Sequence, residues 1–554
     1  MDRDNISIQT IIGVIFVIAA LAIVPAVISV LTESVDNQVT TKSLVEEASY
    51  IIYQDGNYTC GKNGTTGRIE YRGEVFNDVL QEVIDDTRGT IFITKNPTPG
   101  NWTELYPTWS WELYDYELSN TTINVHGDVS IVGDDVVFLC RDVNTTIFNV
   151  NPSGEHYYMD GRNPEYSGMH FIGNASNTNF KLFFVNDLGR QPLWTSIYTR
   201  WVAYPIYIDG AVYSGQVDNC WLAYSNTAVT LTKVLGSTNP NAFKITNCDI
   251  SANDVGIDDG GGYGIKISNN YFEANGETII VRGGTPIISN NFISTNSGGK
   301  AVVYGAVTTV LLEGNEIHVG AASYGVYNPD KYYAKLIASG NNIYCTGSGA
   351  IGIYSGDQMI GSVSGNILQS VTTANDTMQM SGKFSVMTIS ANMFEGGWPA
   401  LEILGGSSNT IVSGNAFSSC KIGIETTAYY LTCHGNRFKS STIVDYLQTA
   451  GGGWYFSDNV FGSVPIIKTG GNNGVFENNV GYVTEKTGTA TILNGQTSII
   501  VTHGLATTPS MVIVTGSNGE VSACYVTSIG ATTFTINVAS AVSGNRVVYW
   551  YAEV

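Results

Sequence analysis

Between Ala338 and Leu368 the chain reads ASGNNIYCTGSGAIGIYSGDQMIGSVSGNIL; it opens on the hexapeptide ASGNNI and returns 25 residues later to the same pattern, VSGNIL. The pattern is hydrophobic-Ser-Gly-Asn-x-hydrophobic. Working outward, it recurs as ISNNYF, ISNNFI and LEGNEI on the N-terminal side and as ISANMF, VSGNAF, CHGNRF, FSDNVF and FENNVG on the C-terminal side. The aligned asparagines are Asn270, Asn291, Asn315, Asn341, Asn366, Asn392, Asn415, Asn436, Asn459 and Asn479, in steps of 21, 24, 26, 25, 26, 23, 21, 23 and 20 residues. A period of about 20–26 residues is one coil of a three-faced β-solenoid, and strands of successive coils stack about 4.8 Å apart. These ten coils alone therefore extend roughly 45–50 Å.

Asparagine suits the turn between two faces because it tolerates left-handed backbone geometry, and stacked amides can hydrogen-bond from coil to coil as a ladder. The flanking Ile, Phe, Leu and Val then point into the core. Repetition of this motif is an architectural signal, not a catalytic one.

Composition agrees with many short strands. The chain has 554 residues, too many for one ordinary globular core. It holds 62 glycines and 32 tyrosines, and only 13% of its residues are charged, a profile that favours strands and tight turns over long helices. Lys plus Arg is 26 against 47 for Asp plus Glu, a net charge of -21, so an electrostatic grip on nucleic acid is excluded as a main function.

Residues 11–31, IIGVIFVIAALAIVPAVISVL, form an unbroken apolar run of 21, and about 20 residues at 1.5 Å each are what a helix needs to cross a bilayer. The preceding tail, 1–10, carries one Arg against two Asp, unlike the basic start of a cleaved signal peptide. The run predicts a transmembrane helix with the bulk of the chain outside the cell. Residues 32–70 read as a polar stalk, helical to about Gly56. In 71–88, Val75, Phe76, Val79, Leu80 and Val83 recur at helical spacing before GTIFI turns to strand character, which predicts an amphipathic helix capping the first rung. The β-helix is placed at 89–485, with ITNCDI as a further coil carrying Cys248 in the ladder column. Residues 486–554 read as six short alternating strands, a small β-sandwich. The fold class is all-β: a parallel β-helix with a C-terminal sandwich, behind an N-terminal transmembrane helix.

Three resemblances follow from these residues. The capping pattern and the coils resemble the pectate-lyase-like superfamily, which implies a right-handed parallel β-helix. The segments GTATILNGQTSIIVTHGLATTPSMVIV and VVYWYAEV resemble modules at the C-termini of viral tail fibres and archaeal β-helix proteins. The run ISIQTIIGVIFVIA is similar to the N-terminal helix of archaeal pilin-like proteins, which implies an archaeal-type membrane setting. Tail-fibre and tailspike relatives imply a homo-oligomer, with a trimer as the guess, although no heptad is present.

Asn-x-Ser/Thr sequons stand at Asn57, Asn63, Asn101, Asn120, Asn144, Asn174 and Asn375, as on a glycosylated external surface. The eight cysteines show no CxxC pair and read as isolated core residues, with a Cys420–Cys433 bridge as the alternative. His503, at the HGL turn, reads as structural.

Relatives of this fold that cleave glycans use paired carboxylates, or a calcium site with a basic residue. The stretch SANDVGIDDGGGYGIKI brings Asp254, Asp258 and Asp259 beside a glycine-rich turn, and Glu273, Glu277 and Arg282 follow one coil later. Asp258 and Asp259 resemble the tandem aspartates of polygalacturonase-like enzymes, but the companion Asn-x-Asp, Gly-His-Gly and Arg-x-Lys motifs are absent. Asp254, Asp258, Asp259, Glu277 and Arg282 are thus the catalytic candidates, with a calcium-stabilised turn or a solvated loop as alternatives and no other cofactor. Trp201, Tyr204, Tyr207 and Tyr213, in an aromatic stretch that reads as a loop laid over one face, are the sugar-stacking candidates.

The leading expectation is a membrane-anchored surface or envelope spike that presents its rod and terminal domain to glycans or proteins on another surface. A tethered polysaccharide hydrolase or lyase is the alternative, and a structural envelope protein the third.

Overall fold

The computed structural model describes residues 48–101, 113–151, 163–186, 191–232, 239–305, 308–329, 334–356, 359–371, 376–381, 386–405, 409–462, 466–468 and 474–554. Most of the described residues belong to one continuous sheet of 43 strands wound into a solenoid. Each coil supplies strand to three faces, in places with one long strand running over two of them. On one coil the strands are Thr309–Glu313 (first face), Glu316–Val319 (second) and Tyr324–Asn328 (third), and they pair in parallel with Ala334–Ser339, Asn342–Cys345 and Ile351–Ser355 of the next. Alternation sends every second side chain inward, so that Ile343 and Cys345 are buried while Asn342 and Tyr344 face out.

In-register stacking places like residues above like. Phe394, Phe417, Phe438 and Phe461 stack ring on ring at 4.8, 4.8 and 5.3 Å. Each such burial contributes about 2–3 kcal/mol, enough with the aliphatic columns to offset the ordering of so many short strands.

The asparagine column lies between the first and second faces. From Asn270 to Asn459 each side-chain amide donates to the carboxamide oxygen of the next at 2.9–3.0 Å. The residue before it is in the left-handed region, at Gly314, Gly340 and Gly365, or at Asn269 and Asn290 where no glycine stands. Cys248 continues the column, its backbone N–H donating to Asn270 Oδ1 at 2.9 Å. A shorter ladder absent from the sequence reading runs between the second and third faces, where Asn253 donates to Asn275 at 3.0 Å.

The N-terminal end departs from the expected stalk. Tyr50–Asp55, Tyr58–Asn63 and Ile69–Gly73 are strands, and Tyr50–Ile52 pair in parallel with Ile91–Ile93. The reason is local: Tyr50 and Ile52 alternate inward and complete the first rung, a more stable use of those side chains than a weakly striped helix. The helix Phe76–Asp86 then lies over this end, burying Phe76, Val79, Leu80, Val83 and Ile84, with the Phe76 ring 4.6 Å from that of Tyr116.

At the other end, Glu485–Ile492, Arg546–Glu553 and Met511–Gly516 form one antiparallel sheet, and Ser498–Thr502, Thr533–Asn537 and Tyr525–Thr527 a second. Their shared core includes Ile492, Phe534, Ile536, Val548 and Trp550. His503 is buried there, its Nδ1 accepting the Leu505 N–H at 3.0 Å and its ring parallel to Phe534, a structural placement.

All eight cysteines are free thiols, Cys420 and Cys433 included, so no bridge joins that pair; Cys433 points inward from the first face and Cys420 sits in a turn after the second. Among the described residues no helix is long and apolar enough to cross a membrane. The apolar run 11–31 lies outside the described residues.

Candidate functional site

The acidic patch expected to be catalytic is divided by the strand Val255–Asp259. Asp258 faces out from the third face and is ion-paired with Arg282 of the next coil. Asp259 points inward and is fully buried, its Oδ1 accepting the N–H groups of Gly261 and Gly262 at 3.1 and 2.6 Å. Burial pushes its carboxyl up to about 6. It braces the glycine-rich turn and cannot meet a polymer lying on the rod. Asp254 is exposed in the turn before this strand. Glu277, one coil on, is ion-paired with Lys300, and Glu273 lies on the second face, accepting the Tyr271 hydroxyl at 2.9 Å. Among the described residues no three His, Cys, Asp or Glu side chains converge as metal ligands do.

The aromatic stretch is not a loop but one full coil, Leu193–Arg200 over the first two faces and Tyr204–Asp209 on the third, followed by the first strand of the next coil, Gln216–Asp218. Trp201 stands at the corner after the second face, against Tyr224 at 5.9 Å. Tyr204 and Tyr207 are on the third face, with Lys181 Nζ 4.1 Å from the Tyr207 ring. Tyr213 is at the turn leading back to the first face, bridged to Asn241. The structure thus keeps Tyr204 and Tyr207 together, their rings 5.9 Å apart, and sets Trp201 and Tyr213 at separate turns.

Among the sequons, Asn57, Asn120 and Asn144 are exposed, while Asn63 and Asn174 are half-buried and accept N–H groups two residues ahead as turn caps. Asn375 and the Asn101 side chain lie outside the described residues.

Sequence reasoning missed a different stretch of the third face. Tyr327, Tyr354, Gln379, Glu402 and Glu425 occupy one outward register on five successive coils. Tyr327 and Tyr354 stack at 5.3 Å, and Tyr324 lies 4.5 Å from Tyr327. Gln379 donates its side-chain amide to Glu402. Asp376, at the edge of this column, is half-buried; desolvation, then the charges of Glu402 and Glu425, push its carboxyl up to about 7. Burial and the Glu402 charge also raise Glu425. Among the described residues neither Glu402 nor Glu425 makes an ion pair, unlike Asp258 and Glu277. A signal was present: 379, 402 and 425 are spaced by 23, one coil.

Lys300 lies 5.1 Å from the Tyr327 ring, so the Glu277–Lys300 pair adjoins the tyrosines and the strip covers seven coils, about 30 Å. Rings supply apolar surface with polar edges, and unpaired carboxylates accept hydroxyl donors. A carboxyl that titrates near neutrality can also serve as a general acid.

Residues 234–371 match the family described as "Right handed beta helix region". No curated protein matches the sequence. Among solved structures, the chain is similar to the tailspike protein gp49 from Pseudomonas phage LKA1, at 10% identity over 86% of this chain and 92% of that one, with a TM-score of 0.36. It is similar also to tailspike protein 3 of bacteriophage CBA120, at 10% identity over 80% and 68%, TM-score 0.39. A third is the Streptococcus pneumoniae surface protein and adhesin PfbA, at 11% identity over 72% and 96%, TM-score 0.32.

Proposed function

We propose that this chain is a surface spike that binds polysaccharide along the third face of its rod. The observation that carries the reading is the single register running from Tyr327 and Tyr354 into Gln379, Glu402 and Glu425. A stacked tyrosine pair continuing through Gln379 into carboxylates that make no ion pair among the described residues is a poor use of a surface that only needs to be soluble, and a good contact for a polyhydroxylated chain with apolar ring faces. In this reading the apolar run 11–31 holds the rod on the outer side of a membrane, and the −21 net charge keeps it soluble there.

A second reading is favoured by one feature, the raised Asp376 carboxyl. Neighbouring coils about 4.8 Å apart bring carboxylates to a spacing close to the ~5–5.5 Å of retaining glycosidases. Asp376 would then protonate a leaving oxygen while Glu402 or Glu425 stabilises the opposing centre.

The test is retention of the full-length protein on immobilised neutral and acidic polysaccharides, with new reducing ends followed in parallel. Retention that weakens tenfold or more in Tyr354→Ala and Glu402→Gln is the expected result; retention indifferent to both refutes the third-face reading. Cleavage that vanishes in Asp376→Asn, with retention intact, establishes the second reading.

A further inference from the structure

Two of the free thiols stand one above the other, at the corner between the first and second faces. The strands that flank them pair in register, Gln216–Asp218 with Lys244–Thr246 and Trp221–Ala223 with Asp249–Ser251, so Cys220 and Cys248 occupy the same position on successive coils. The Asp249 N–H donates to the Cys220 carbonyl at 2.9 Å, which holds the two backbones one strand spacing apart. That spacing, about 4.8 Å, falls inside the roughly 4.4–6.8 Å between α-carbons that a disulfide requires.

The side chains converge as well. Cys220 Sγ lies 3.3 Å from the carbonyl oxygen of Asp218, and Cys248 Sγ lies 3.7 Å from that of Val217, so the Cys248 thiol reaches back to the strand that Cys220 follows. The two thiols are also in hydrogen-bond contact; burial, and then that contact, raise Cys220 well above the ordinary thiol range.

This corner is where the asparagine ladder ends. Each asparagine from Asn291 to Asn479 accepts, at its carboxamide oxygen, both the backbone N–H and the side-chain amide of the rung before it. Asn270 still accepts the Cys248 N–H. A thiol has no carboxamide oxygen, so that pair of hydrogen bonds cannot form between Cys220 and Cys248. What the column offers at this join is two sulfurs.

We infer that Cys220 and Cys248 form a disulfide between coils when the chain meets a low-molecular-weight disulfide, and that this bond takes over from the amide ladder at its N-terminal end. One protein thiolate attacks the small disulfide and releases a small thiol; the other attacks the mixed disulfide and releases the second. The S–S bond of the oxidant is reduced, the two protein thiols are oxidised, and two protons pass from the protein thiols to the released ones. With Cys220 and Cys248 only 3% and 2% exposed, the exchange belongs to the coil as it closes or transiently opens, not to the closed rod. The inference is independent of the glycan reading.

The experiment brings the full-length protein, reduced at the start, to the onset of its melting transition with glutathione disulfide, and in parallel with reduced glutathione alone. Remaining thiols are then alkylated in denaturant and the non-reduced peptides mapped by mass spectrometry. A linked peptide holding Cys220 and Cys248 is expected, with two fewer alkylated thiols than the eight of the reduced sample and a melting temperature higher by about 2 °C or more. Cys220→Ala and Cys248→Ala should each abolish the linked peptide and the redox-dependent shift, and Cys420→Ala should abolish neither. The peptide map of the parent needs no variant, so it decides the question even where a variant fails to fold. Eight alkylated thiols after oxidation, glutathione adducts in place of the linked peptide, or a link through another cysteine overturns the inference. So does a Cys220–Cys248 bond that leaves the melting temperature unchanged or lower.

Discussion

The carboxamide oxygen of Asn366 accepts two hydrogen bonds from Asn341, 25 residues earlier: one from its backbone N–H and one from its side-chain amide, each at 2.9 Å. The same amide donates to the carbonyls of Leu312 at 2.8 Å and Ser339 at 3.2 Å, and Asn341 is fully buried. Asn341→Ala would take the amide donor from Asn366 Oδ1, Leu312 and Ser339, and would leave the Asn315 backbone N–H without its acceptor while the Asn315 amide keeps Ile288 and Glu313. At about 1–3 kcal/mol for each buried group left unsatisfied, after partial relaxation, the loss is about 3–5 kcal/mol. Asn479→Ala, at the half-buried end of the ladder, should cost about half as much. Urea unfolding of the two variants against the parent checks both.

Asp376 makes stability depend on pH in a stated direction. Its folded pKa, about 7, lies above the ordinary aspartate value, because burial and two neighbouring glutamates disfavour the ionised form. At low pH both folded and unfolded chains hold the proton and nothing is lost. As pH rises from the ordinary aspartate range to about 7, the unfolded chain ionises first, so this group's contribution falls and stays low above that. Asp376→Asn should therefore raise the melting temperature at about pH 8 and change it much less at about pH 4. An equal shift at both values would contradict the assigned environment.

The phenylalanine stack makes a packing prediction with an internal control. Phe417 is 1% exposed, between rings at 4.8 Å on both sides, whereas Tyr430 is 63% exposed. Phe417→Ala removes a ring from a column that cannot close up, since each coil is held in register by its strand pairing; the cost is about 3–5 kcal/mol. Tyr430→Ala should lie within about 0.5 kcal/mol of the parent. Chemical unfolding compares them directly.

The solenoid was legible because its determinant is periodic: Asn270 through Asn479 are read one per coil, and each finds its neighbour in the structure. The opening rung was not, since Tyr50 and Ile52 become inward-facing only by pairing with Ile91 and Ile93, a partnership about 40 residues distant that a local window does not contain. The site failed for a related reason. Asp258 and Asp259 stand out as a pair along the chain, yet adjacent strand residues point to opposite sides, so one meets solvent and the other the core. Gln379, Glu402 and Glu425 look unrelated along the chain and share one column in space.

That contrast supplies the last prediction. Asp258 and Arg282 are an ion pair on the rod's surface, with side chains 24% and 53% exposed, and Glu277 is likewise paired with Lys300. Exposed pairs of this kind contribute about 0–1 kcal/mol, and a carboxylate committed to a cation is not open to a hydroxyl donor. Asp258→Asn should therefore shift stability by no more than about 1 kcal/mol and leave polysaccharide retention and any cleavage at the parent level. Glu402→Gln, which removes a carboxylate that raises Asp376, should weaken retention and lower the Asp376 pKa. Parallel retention assays, with the pH dependence of the melting temperature as the second readout, compare the two. Loss of function in Asp258→Asn with function kept in Glu402→Gln would move the working surface back to the glycine-rich turn.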